Sequence, residues 1–71
     1  MPHSPSVSIV VPLFNDEEFV AASIDSCLAQ SLQDIEVVCV DDASTDRTAE
    51  IVEEYQRRDA RVRLIRQPTN L

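Results

Sequence analysis

Two short stretches of this sequence carry side chains that could do chemistry. Asp41-Asp42-Ala43-Ser44 follows the apolar run at 35–40, and Pro12-Leu13-Phe14-Asn15 follows the apolar run at 7–11. A carboxylate at a strand end can accept hydrogen bonds from a ribose hydroxyl or a pyrimidine N–H. Asp42 is the better placed for that. Asp41 is expected to face the neighbouring loop or a helix N-terminus. Each residue also has a plainer reading. An acidic pair after a strand often serves turn and cap chemistry. Asn15 is a good helix cap. Phe14 can act as a packing residue rather than a stacking platform.

The elements that position these residues follow from periodicity. Val7-Ser8-Ile9-Val10-Val11 is β-branched and does not alternate after Ser8, which predicts a strand covered on both faces, stopped by Pro12. Asn15 with Glu18 three residues later resembles a capping box, and Phe14 with Phe19 has the spacing of a hydrophobic staple. Asp16, Glu17 and Glu18 suit the positive end of a helix. Val20, Ile24, Cys27 and Leu28 form one apolar stripe, so the helix should run from Asn15 to near Ser31. Residues 35–40 predict a second strand. Ser44 or Thr45 can cap a second helix, with Asp46 in its first turn. Thr48, Ile51, Val52 and Tyr55 make its apolar face, and Arg57 and Arg58 suit its C-terminal end. Residues 62–65 predict a third, shorter strand ended by Pro68, with Val62 and Leu64 on one face.

Strand, helix, strand, helix, strand is two consecutive βαβ units. The fold expected is α/β: a three-stranded parallel sheet of order 3-2-1, the first half of a doubly wound architecture. Ligands then bind beyond the carboxyl ends of the strands, so the two stretches above should share one crevice. Residues 1–6 read as a loose leader and 7–71 as an incomplete domain. The exposed edge of the first strand invites self-association.

Composition narrows the chemistry. The net charge is −7 over 71 residues, all six cations are arginine, and there is no glycine. Without glycine, neither a dinucleotide fingerprint nor a P-loop can form. No Lys or Arg precedes Arg47, which is a poor surface for nucleic acid. A nucleotide diphosphate would be repelled unless a divalent cation came with it. Cys27 and Cys39 read as free, apolar-site thiols, and His3 as a tail residue. No basic and apolar leader of a signal peptide is present, which sets the expectation of a cytoplasmic protein, at the cytoplasmic face of a membrane if an anchor lies beyond Leu71.

The combination is more specific than its parts. Residues 7–17, with Pro12, Phe14 and Asn15 in order, resemble the opening strand of family 2 glycosyltransferases, which reads as apolar strand, Pro, x, Tyr, Asn, Glu. Ser26-Cys27-Leu28-Ala29-Gln30-Ser31 resembles the end of that family's first helix. Residues 35–46 resemble its second strand and turn, and residues 59–66 with Asn70 its third strand and the segment that follows. The resemblance implies a GT-A fold and a nucleotide-sugar donor, commonly uridine-linked. It implies transfer with inversion to a saccharide or lipid-linked acceptor. It assigns Pro12, Phe14, Asn15, Asp41, Asp42 and Asn70 to the nucleotide site. It also implies a Mg or Mn ion and a general base, both held beyond Leu71, so the 71 residues alone should not catalyse transfer. Phe14 replaces the common Tyr. Ala43 replaces a common Gly, so the turn there is expected to avoid positive φ. The competing readings are a non-catalytic nucleotide-binding module or remnant, and a phospho-acceptor receiver domain. The last is disfavoured because its acidic pair should follow the first strand.

Overall fold

The structure, a computed structural model, describes residues 7–30 and 34–68. Its elements run β1 (Val7–Leu13), α1 (Val20–Leu28), β2 (Ile35–Asp42), α2 (Thr48–Arg58) and β3 (Val62–Gln67). The three strands form one parallel sheet in the order β1-β2-β3, the expected order read from the other edge. The central strand is therefore β2.

Burial along β2 alternates strictly. Ile35, Val37, Cys39 and Asp41 point into the core. Glu36, Val38, Val40 and Asp42 point to the opposite face, as the two-residue period requires. The core joins these residues to Leu13, to Val20 and Ile24 of α1, to Val52 of α2 and to Val62 of β3. Both helices thus pack on one face of the sheet. Tyr55 ties them together: its hydroxyl donates to Asp25 Oδ1 at 2.7 Å. Fully burying a Val or Ile side chain stabilises by about 1.5–3 kcal/mol, so this two-layer core carries the fold.

The other face has no cover among the described residues. Val10 is 62% exposed and Ile65 46%. The expectation that β1 is covered on both faces therefore does not hold here. At the amino end of this open face Ser8 and Arg63 both donate to Glu36, at 2.9 and 2.7 Å, a polar ladder across all three strands.

Four local expectations are corrected. β1 continues through Pro12 to Leu13. It is an edge strand in the described sheet, where one missing donor is tolerated. α1 starts at Val20, with Phe19 at the N-cap and no side-chain cap. Residues 16–19 instead form a turn in which the Asp16 carbonyl accepts from the N–H groups of Phe19 and Val20. Phe14 and Phe19 stay 50% and 65% exposed, so the staple does not bury them. α2 starts at Thr48, with Arg47 at the N-cap and no side-chain cap, so neither Ser44 nor Thr45 caps it; Asp46, just before the helix, accepts through Oδ1 from the Thr48 N–H and hydroxyl. The fourth correction concerns Ala43. It adopts φ 57, the left-handed region that a non-glycine residue enters at a cost of about 1–2 kcal/mol.

Candidate functional site

The loops after β1 and β2 are laced together. Asn15 N–H donates to Ser44 Oγ at 2.9 Å, and Asp16 N–H to Thr48 Oγ1 at 2.8 Å. Glu17 N–H donates to Asp46 Oδ2 at 3.2 Å. In return, Thr45 N–H donates to Asn15 Oδ1 at 2.9 Å. Phe14 N–H turns back to Asp16 Oδ2 at 2.9 Å. The four successive N–H groups of residues 14–17 are thus all satisfied by side chains. Asn15, at φ 51, belongs to this lacing. Asn tolerates the left-handed region well, and its amide oxygen is used by the partner loop rather than by its own helix. The same donors cannot also cradle a phosphate.

Asp41 is fully buried beneath this lacing. Its Oδ2 accepts from Ser44 N–H at 3.2 Å and faces Arg66 Nε at 3.5 Å. Its Oδ1 has no hydrogen-bond partner among the described residues. Asp41 therefore holds the turn at 42–44, including the strained Ala43. This is the loop-facing role anticipated for it.

Asp42, one residue on, must point the opposite way. It opens into a groove of about 410 Å³ lined by Pro12, Leu13, Phe14, Asp16, Val40, Asp42 and Gln67. The volume is in the range of small-molecule sites. Pro12 and Val40 are register partners and form an apolar floor. Phe14 stands at the rim, exposed enough for stacking. A second hollow of about 370 Å³ adjoins it, lined by Ala43, Ser44, Arg66, Gln67 and Pro68. Gln67 borders both.

Of the residues marked from sequence, Pro12, Phe14 and Asp42 meet in one groove. Asn15 and Asp41 are bonded into the loops behind it. Asn70 lies outside the described residues. Asp16, Val40 and Gln67 line the groove without having been marked. Gln67 owes its place to strand register, which pairs it with Asp42. The visible signal was its position at the end of the third strand. No described helix is long and apolar enough to cross a membrane.

Known proteins resemble this chain in sequence and in fold. The sequence is 52% identical over 63 residues to an uncharacterized glycosyltransferase, EpsJ, of Bacillus subtilis, covering 89% of this chain and 18% of that protein. It is 40% identical over 63 residues to the chondroitin synthase of Escherichia coli, covering 89% of this chain and 9% of the synthase. The chain thus spans less than a fifth of either relative. Among solved structures, the mannosyltransferase PcManGT from Pyrobaculum calidifontis, in complex with GDP-Man and Mn2+, superposes with a TM-score of 0.74 at 29% identity. That likeness covers 89% of this chain and 19% of the mannosyltransferase. The β-α-β-α-β sheet described above is the opening part of that GT-A fold. Residues 8–71 match glycosyl transferase family 2; with these relatives and the shared fold in agreement, the chain belongs to that family.

Proposed function

We propose that the groove over the ends of β1 and β2 receives the nucleoside of a nucleotide-sugar donor, in a protein that transfers the sugar to a saccharide or lipid-linked acceptor with inversion. One observation carries this reading. Asp42 presents a carboxylate with no hydrogen-bond partner among the described residues into a groove that also offers an apolar floor and an exposed ring. A carboxylate that faces a groove and is not occupied by a protein donor is open to accept from a ligand donor. A ribose hydroxyl or a base N–H is such a donor. The complex of PcManGT with GDP-Man supports a nucleotide-sugar as donor.

Among the described residues no group of three or more His, Cys, Asp or Glu side chains could hold a metal ion. These residues by themselves do not fit the divalent cation that the resemblance implies. Nor do residues 14–17 give the diphosphate a free backbone cradle, because their N–H groups are occupied by side chains. We therefore expect the 71 residues alone to contribute nucleoside binding but no turnover.

The test is nucleotide-sugar binding by the protein at its full native length. Hydrogen bonds to a charged group contribute about 1.5–3 kcal/mol, so Asp42→Asn should weaken binding at least tenfold, since about 1.4 kcal/mol is a factor of ten. Glu53→Gln, on the exposed side of α2, should leave it unchanged. Equal affinity in wild type and Asp42→Asn removes Asp42 from the site.

A further inference from the structure

Gln67 has no part in the packing or the lacing described above, yet it lines both hollows at the sheet edge. The β2–β3 register sets it directly beside Asp42. Neighbouring strands lie about 4.8 Å apart, and both side chains belong to the open face. Neither the Asp42 carboxylate nor the Gln67 amide has a hydrogen-bond partner among the described residues.

The two groups are chemically complementary. An ionised carboxylate only accepts; an amide offers two N–H donors and one acceptor oxygen. Side by side they match a ligand edge that sets a donor next to an acceptor. The Pro12–Val40 floor and the Phe14 ring suit a flat ligand. A nucleobase has both features.

We propose that Gln67 is a specificity-determining residue that reads the base jointly with Asp42, and that the pair favours an imide-type edge, a ring N–H beside a carbonyl, as in uracil (an imide) or guanine (a lactam). This rests on the groove being the nucleoside site. The ring N–H is directed at Asp42 and the adjoining carbonyl at the Gln67 amide. Cytosine and adenine can also present a donor beside an acceptor, but their donor is an exocyclic amine. The imide-type N–H lies next to an electron-withdrawing carbonyl and is the more acidic donor. Charge-assisted hydrogen bonds to a carboxylate are about twice as strong as neutral ones, so the carboxylate amplifies that difference. A site that leaves a polar group unmatched rejects the poorer ligand.

The test is equilibrium binding of UDP, GDP, CDP and ADP, each alone, to the full-length protein in one magnesium-containing buffer. UDP or GDP should bind about tenfold or more tightly than CDP and ADP. Comparing UDP with GDP identifies which of the two bases is used. Gln67→Met keeps the length and removes the amide. It should reduce the preference several-fold, by weakening the imide-type nucleotide more than CDP or ADP. A purely structural role for Gln67 would weaken all four alike and leave the ratios unchanged, and that result overturns the proposal. Gln67→Asn, with a shorter amide, should restore part of the preference. Equal binding of all four by wild type also overturns the proposal while leaving the nucleoside site standing. Failure of all four to bind removes the site and the proposal together.

Discussion

Replacing Ala43 with glycine should stabilise the protein. Ala43 sits at φ 57, where the Cβ of an L-residue crowds the following carbonyl at a cost of about 1–2 kcal/mol. Glycine removes that strain. It also gains freedom in the unfolded chain, which gives back about 0.4–1 kcal/mol. The expected net gain is about 0.5–1 kcal/mol. For a chain of this size each kcal/mol shifts the thermal midpoint by about 4–8 °C, so Ala43→Gly should raise it by roughly 2–8 °C. The converse variant sharpens the test. Ala43→Val places a β-branched residue in the same region and should destabilise by more than 1 kcal/mol, because positive φ is a genuine outlier for such residues. Chemical denaturation with both variants reads the two effects, provided the slope with denaturant is unchanged. A loss of stability in Ala43→Gly, or equal stability of Ala43→Val and wild type, would refute the strained turn. The bonds from Ser44 to Asp41 and from Asn15 to Ser44 would then need another explanation.

Three further outcomes follow from the same geometry. Ser44→Ala leaves the Asn15 N–H without its 2.9 Å acceptor and should cost about 1–3 kcal/mol; urea midpoints that coincide with wild type would show that the loop lacing carries little. Acid should unfold the protein through three carboxylates held below their usual range: Glu36, mainly by the Arg63 guanidinium and then Ser8; Asp59, mainly by the Arg61 side chain and then its N–H; and Asp46, where partial desolvation is outweighed by hydrogen bonds from Thr48 and Glu17. A lowered folded pKa favours the fold above the ordinary values of 4.5 and 3.8 and loses that contribution as pH falls through the lowered ones. The thermal midpoint should therefore be nearly level down to about pH 5 and fall below it, and a midpoint that rises on acidification would contradict the pairing. Cys39 is fully buried, and burial, followed by the nearby Cys27, pushes its thiol up to about 11; alkylation of the folded protein near pH 8 should label Cys27 and spare Cys39, and mass spectra showing both modified at equal rates would rule that out.

The order of elements was readable from the residues because each βαβ unit is written in local periodicity. Val20, Ile24 and Cys27 repeat at helical spacing, and residues 35–40 form a short apolar run ended by two aspartates. The boundaries were less readable. Asn15 and Glu18 look like a capping box, but Asn15 spends its amide oxygen on Thr45, thirty residues away in sequence. No local pattern distinguishes an acceptor used within its own helix from one used across loops. Ala43 illustrates the same limit: a residue that disfavours positive φ adopts it because Asp41, Ser44 and Asn15 together hold the turn.

By itself, then, the sequence determined the α/β order, the absence of a glycine cradle for phosphate, and the placing of Pro12, Phe14 and Asp42 at the carboxyl ends of strands. The tertiary structure supplied the reason why Asp42, as anticipated, and not Asp41 meets the groove. Both helices pack on one face, so the two-residue period buries Asp41 and leaves Asp42 on the open side. It also decided that Gln67 stands beside Asp42, because parallel register depends on how the helices seat the strands against one another, and no residue in either strand encodes that offset alone.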